Sequence, residues 1–207
     1  MKRSTLVLVL AVLPAAFANA NLIVNGSFET PNIPTGKWGV YQAIDGWETT
    51  FGAGIEIQDN AAGSPFHGNQ HIELDSHPSG NSNSGMRQLI AVTAGQSYDL
   101  SFAWSPRPRI AADSLGLEVW FGGTLLDAIP GNGTGLTDTD WNVRSYTVTP
   151  NSDSVYLEFR ATGTADTFGS YIDDVRLTSP PIPAPGAILL GALGTGLVGW
   201  MRRRRAL

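Results

Sequence analysis

Cysteine is absent from all 207 residues. Thiol catalysis, cysteine-based zinc sites and iron–sulfur clusters are thereby excluded, and no disulfide can staple the fold, so stability has to come from the size of the core or from a bound ion. Charge is sparse and one-sided. Of the 13 Lys and Arg, six stand at the two ends (Lys2, Arg3, Arg202, Arg203, Arg204 and Arg205), leaving seven basic residues against 18 acidic ones and a net charge of about −11 for the chain between them. Such a surface disfavours nucleic acid and anionic lipid as partners and favours cations. Catalytic signatures are missing too: there is no G-x-S-x-G elbow, H-E-x-x-H helix, phosphate loop or dinucleotide fingerprint. No stretch carries the apolar spacing of an amphipathic helix.

What is present at the ends reads as targeting. Lys2 and Arg3, the apolar run from Leu6 to Leu13, and Ala18-Asn19-Ala20 form the charged start, short helix and small-x-small cleavage site of a secretory signal peptide over residues 1–20. Signal peptidase would leave Asn21 as the first mature residue, and with no cysteine there, a lipoprotein-type anchor is excluded. At the other end, Pro180, Pro181, Pro183 and Pro185 break regular structure across 179–186. Residues 187–207 then hold an uncharged apolar helix, Ala187 to Met201, and the basic block Arg202, Arg203, Arg204 and Arg205. At helical rise that stretch spans about 22 Å, short of the roughly 30 Å hydrocarbon core, which suits a temporary transmembrane hold with the arginines on the cytoplasmic side.

The tail resembles the PEP-CTERM sorting signal of Gram-negative and related bacteria, with the short motif Pro183-Ala184-Pro185-Gly186, the apolar helix and the Arg-rich end. Alanine stands where that family has its glutamate. The resemblance implies passage through the inner membrane, cutting near the motif by an exosortase-type enzyme, and delivery to the cell surface or extracellular matrix.

Between the ends, residues 21–178 are rich in Gly, Ser, Thr and Asn, with short alternating runs between turn clusters. In Ser97 to Trp104, Tyr98, Leu100, Phe102 and Trp104 share one parity; Leu115, Leu117, Val119 and Phe121 do so in the next run, and Val155, Leu157 and Phe159 in a third. Further strands are expected at Asn21 to Val24, Gly54 to Gln58, Gln70 to Asp75, Met86 to Thr93, Trp141 to Val148 and Ser170 to Leu177. The pattern is all-β, a two-sheet antiparallel β-sandwich of the jelly-roll type, flanked by the signal helix and the short transmembrane helix.

The opening Leu22-Ile23-Val24-Asn25-Gly26-Ser27-Phe28-Glu29 with Gly46-Trp47, and the closing Tyr171-Ile172-Asp173-Asp174-Val175-Arg176-Leu177, resemble galactose-binding-like jelly rolls, which include many carbohydrate-binding modules. Strand parity places Asp173 inward with Tyr171, Val175 and Leu177, where a carboxylate needs a partner. The resemblance implies a structural calcium between the first and last strands, held by Glu29 and Asp173 with Ser27 and Asp174. A bulge turning Asp173 outward, or an arginine partner, are the alternatives. Aromatic rings suited to stack on a sugar are Trp120, Tyr146 and Tyr156, with Trp104 at the mouth of the Pro-Arg loop, unless loops simply pack over them. His67, His71 and His77 match no closed zinc spacing and read as exposed loop histidines.

The function these readings favour is a non-enzymatic, surface-displayed module for extracellular polysaccharide. A structural envelope or biofilm-matrix protein without specific glycan, and a small glycan-active enzyme, are the alternatives. For the tail, neutral replacement of Arg202, Arg203, Arg204 and Arg205 together should leave export intact and block processing, because the basic block fixes the membrane topology. Mass spectrometry of the mature surface protein should find its end near Pro183 to Gly186; recovery of the intact tail from that pool would refute the sorting reading.

Overall fold

The computed structural model describes residues 20–76 and 83–179. Several expectations lie outside these residues: the signal peptide, the motif Pro183-Ala184-Pro185-Gly186, the apolar helix, the basic block Arg202, Arg203, Arg204 and Arg205, and His77. Among the described residues no helix is long and apolar enough to cross a membrane.

The first half of the chain supplies β1 Lys37–Tyr41, β2 Ala43–Ile44, β3 Trp47–Phe51, β4 Ile55–Asp59, β5 His71–Glu73 and β6 Gly85–Ala91. The second supplies β7 Tyr98–Ser105, β8 Gly116–Phe121, β9 Thr124–Pro130, β10 Asn142–Val148, β11 Ser154–Thr162 and β12 Tyr171–Thr178, with a 3-10 turn at Ala112–Ser114. They pair into two antiparallel six-stranded sheets: a first sheet in the order β1-β4-β5-β12-β7-β10 and a second in the order β2-β3-β6-β11-β8-β9. The chain is all-β, a jelly-roll sandwich.

Alternation along the strands makes the core. The anticipated inward sets of β7, β8 and β11 are all buried. Phe102 of the first sheet meets Phe159 of the second edge-on at 5.0 Å, a favoured arrangement of two ring quadrupoles. Trp47 lies 6.0 Å from Phe159 and 5.7 Å from Phe28, which closes one end.

Asn21 to Val24, expected as a strand, is irregular. Positive φ at Asn25 (51°) and Phe28 (56°) breaks any extended run. The segment is nevertheless tied to β12: Leu22 N–H donates to Leu177 O at 2.9 Å, Val175 N–H to Gly26 O at 2.8 Å, and Leu177 N–H to Asn21 Oδ1 at 2.9 Å. Gly26 is needed there because a Cβ would overlap the Val175 carbonyl oxygen. Strands β1, β2, β3 and β9 were not expected from the sequence. For β9 the overlooked signal is Gly122-Gly123, both at positive φ (56° and 78°), the two-residue turn that a tight hairpin from β8 requires.

Asp173 is buried, but not on the inward face that its parity with Val175 and Leu177 implies. The register of β12 on β7 shifts between Asp173 and Arg176, and Asp174 sits at φ 47°. That bulge puts Val175 and Leu177 in the core and Asp173 on the opposite, outer face.

Candidate functional site

The outer face of the first sheet is where the unusual chemistry collects. Opposite in pleat to the core residues Ile55, Ile57, Ile72 and Ile172 are Glu56 and Gln58 on β4, His71 and Glu73 on β5, and Tyr171 and Asp173 on β12. These six would face solvent on a bare sheet, yet none is more than 4% exposed. Loop segments cover them. Phe66 and His67 N–H groups donate to Asp173 Oδ2 at 2.8 Å each, Tyr171 Oη donates to Ala62 O at 3.1 Å, and Gly169 N–H donates to Glu73 Oε1 at 2.8 Å.

Arg107, from the loop after β7, reaches down to this row and donates to both oxygens of Glu73, at 2.6 Å to Oε1. Gln58 Nε2 bridges Glu73 and Glu56, at 2.9 Å to the latter. Burial pushes the Glu73 carboxyl up to about 8, the Arg107 charge opposing and Glu56 reinforcing the shift. Burial likewise lifts Asp173 to about 7 against its three backbone donors. His71 is wholly buried, its ring 4.4 Å from Tyr171 and 5.8 Å from Trp141. Neither of its nitrogens has a hydrogen-bond partner, and burial, then the Arg107 charge, lower it to about 3. It is a neutral packing residue, which corrects the reading of an exposed loop histidine; its place in the strand run Gln70 to Asp75 was the signal. His67 is exposed.

Beside this row the loops enclose a cleft of about 520 Å³. Its walls include Asn60, Ser64, Arg107, Arg109, Asp138 and Phe168. The Phe168 ring lies 4.9 Å from the Arg107 guanidinium and stays 37% exposed. Asp138 accepts from the Ser64 hydroxyl and N–H and from Thr139 N–H, all at 2.8 Å. These bonds, the Ser64 hydroxyl first, hold its carboxyl below the usual range. An exposed ring, an ionised carboxylate, a guanidinium and amide and hydroxyl groups within one cleft are groups that can stack on a pyranose and bind its hydroxyls.

The four aromatic residues named from the sequence do not line this cleft. Trp104 is 5% exposed and belongs to the core. Tyr146 is half-buried on the inward side of edge strand β10, where its hydroxyl donates to Asp127 Oδ2 at 2.7 Å on edge strand β9, bracing the open side of the sandwich. Trp120 and Tyr156 do lie outside, on the second sheet. Arg160 covers the Trp120 ring at 4.5 Å, and Arg87 covers Tyr156 at 4.1 Å. Tyr156 lines a shallower groove of about 350 Å³ with Trp47, Arg87 and Leu89. Sequence reasoning missed Phe168, Asp138 and Arg107; only the Pro-flanked Arg107 carried a local signal.

Glu29, Asp173, Ser27 and Asp174 do not fit a calcium ion in this arrangement. Glu29 Oε1 accepts from Asn69 and Gln70 N–H at 2.8 and 3.0 Å, so both it and Asp173 grip the same segment through its amides. Asp174 pairs with Arg176 at 2.8 Å, and Ser27 Oγ reaches it at 3.5 Å. The carbonyls of Phe28 and Pro31 in the same segment accept from Gln70 Nε2 at 2.6 and 3.0 Å. Among the described residues no group of three or more acidic or histidine side chains could hold a metal. Chelator should therefore leave the melting temperature at neutral pH unchanged; a fall of several degrees would show an ion bound to the folded state.

The buried acids set a pH dependence. The folded pKa values of Glu73 and Asp173, about 8 and 7, lie above the ordinary 4.5 and 3.8, so unfolding releases protons and stability falls as pH rises through that window. His71, with a folded pKa near 3 against an ordinary 6.5, acts only below about pH 6.5, and there with the opposite sign. Between pH 6.5 and 8 the acids act alone. The melting temperature should drop across that interval, and Glu73→Gln, although less stable, should show a flatter profile by calorimetry.

No family model matches the sequence. A stretch of 158 residues is 28% identical to the multifunctional-autoprocessing repeats-in-toxin of Vibrio vulnificus, and one of 175 residues is 27% identical to that of Vibrio cholerae, covering 75% and 81% of this chain. The chain spans about 3% of the length of these curated relatives. Among solved structures, TmCBM61 in complex with beta-1,4-galactotriose is similar with a TM-score of 0.51 and 16% identity, over 78% of this chain and 99% of that one. A xylan-binding domain from CBM 22 matches with a TM-score of 0.51 and 15% identity, over 81% of this chain and 100% of that one. An arabinose-bound α-L-arabinofuranosidase matches at 0.54 and 14%, over 79% of this chain and 27% of its own. The structural neighbours thus include carbohydrate-binding modules with jelly-roll folds.

Proposed function

We propose that this chain is an exported, surface-displayed module that binds an extracellular polysaccharide without cleaving it, in the cleft beside the covered outer face of the first sheet. The observation that carries the reading is the Phe168 ring. It is backed on one side by the Arg107 guanidinium and open to the cleft, an aromatic platform with Asn60, Ser64 and Asp138 among the other wall residues. The likeness in fold to modules bound to galactotriose or named for xylan supports the same reading.

The arrangement of the carboxylates supports binding rather than hydrolysis. A glycosidase of the usual kind needs two facing each other across the substrate, about 5–10 Å apart. Asp138 is the one carboxylate among the residues lining the cleft, and Glu73, beneath it, is wholly buried and tied to Arg107 and Gly169. Export and sorting rest on the terminal sequences: signal peptidase removes residues 1–20, the tail with its arginines 202–205 holds the protein briefly in the inner membrane of a Gram-negative-type cell, and an exosortase-type enzyme processes it at Pro183 to Gly186.

The test is a polysaccharide panel, including the producing cell's own matrix, presented to the full chain in mild detergent. At least one polymer should bind, and Phe168→Ala should weaken that binding about tenfold with the melting temperature little changed, as loss of a stacking ring does. Binding to no polymer would overturn the proposal and leave the structural envelope or matrix protein as the reading.

A further inference from the structure

The cleft has three charged side chains, and they differ in what already occupies them. Arg107 is committed to Glu73 and to the face of Phe168. Asp138 is committed to Ser64 and Thr139. Arg109 is exposed at the cleft wall, and among the described residues no acidic side chain pairs with it. Of the six arginines in the central part of the chain, four have an acidic partner; of the other two, Arg144 lies over the Trp104 ring and Arg109 stands at the cleft.

Its backbone is held in place at a cost. Arg109 has φ 68°, a left-handed conformation that L-residues other than Asn and Asp seldom adopt. Three hydrogen bonds keep it there: Arg109 N–H to Gly133 O at 2.8 Å, Gly133 N–H to Ile110 O at 2.9 Å, and Ile110 N–H to Arg107 O at 3.4 Å. A side chain at Gly133 would overlap the Arg107 carbonyl oxygen, so the close approach of the two loops depends on glycine. Strain maintained by the surrounding structure at a cleft wall is a feature of ligand clamps.

Resting on the glycan-binding reading, we infer that Arg109 selects saccharides bearing a carboxylate, so that the ligand is an otherwise neutral glycan with isolated uronate residues. The guanidinium presents paired N–H donors that match a carboxylate, while Phe168 stacks on a neighbouring sugar ring. A long polyuronate is disfavoured because the acidic surface repels it beyond the cleft. A single carboxylate among neutral sugars meets the local cation and escapes most of that repulsion.

The experiment is titration calorimetry of the full chain in mild detergent with glucuronosyl-xylotriose and glucuronosyl-galactotriose, each beside its carboxyl-reduced form. For the backbone that binds, the acid form should be about tenfold tighter than the reduced form, in line with a charged hydrogen-bonded contact. Arg109→Gln should erase that ratio, its loss falling about tenfold more on the acid form than on the reduced form, and Phe168→Ala should weaken both. Equal affinity for acid and reduced forms, or a loss in Arg109→Gln that falls equally on both, would overturn the carboxylate inference while leaving glycan binding standing. Absence of binding by all four would overturn the carboxylate inference, and absence of binding by every polymer of the panel would overturn the glycan-binding reading as well.

Discussion

The contact between Glu73 and Arg107 governs how the first sheet is finished. A carboxylate on the outer pleat of β5 has no reason to leave water unless a partner follows it, and Arg107 descends from the loop after β7 to supply one. Once that loop is drawn over the sheet, Phe168 settles against the other side of the guanidinium and Gly169 donates to Glu73. The cleft is the space these loops leave between them. Its exposed ring and the Arg107 cation behind that ring therefore follow from one buried contact, and the raised pKa of Glu73 records the desolvation it costs.

A second polar device sews the chain together over long separations. Glu29 from the opening segment and Asp173 from β12 both accept backbone amides of residues 66–70. Gln70, fully buried in the same segment, donates to Phe28 and Pro31 carbonyls and accepts from Ile33 N–H. Amides here do what a cation would do elsewhere, neutralising carboxylates by several N–H dipoles. In a chain without disulfides these bonds, with those of Asn21 and Leu22 to β12, close the sandwich across some 150 residues. Pairings so distant in sequence place the fold among those that form slowly.

The two outer faces are built differently. On the second sheet, Glu48, Arg87, Tyr156, Glu158, Arg160, Trp120 and Glu118 make an open lattice of ion pairs and cation–π contacts, with Arg87–Glu48 at 2.7 Å and Arg160–Glu158 at 2.8 Å. Those exposed pairs contribute little to stability each, and the Tyr156 and Trp120 rings each have an arginine over one face. On the first sheet the charges are buried and the loops above them leave an exposed ring. Aromatic residues thus occur on both sides, Phe168 in the cleft of about 520 Å³ beside the first sheet and Tyr156 in the groove of about 350 Å³ on the second.

Alternation by twos was enough to settle the class of fold and the inward sets of β7, β8 and β11, because a half-buried strand must segregate its side chains by parity whatever surrounds it. Composition alone excluded thiol chemistry and set the sign of the surface. The site was another matter. Trp104 has the parity of a core residue and is one, while Phe168 lies in a loop with no periodicity to mark it. His71 and Glu73 alternate as outer-face residues do, yet they are buried, because loops from elsewhere in the chain cover them; Asp173, whose parity with Val175 and Leu177 reads as inward, lies on the covered outer face because a bulge at Asp174 changes the phase of β12. Parity is a local property of the backbone and was legible in the sequence. Which face a loop covers, and which ring it leaves open, depends on contacts between segments as distant as Glu73 and Arg107, and only the tertiary structure decided it.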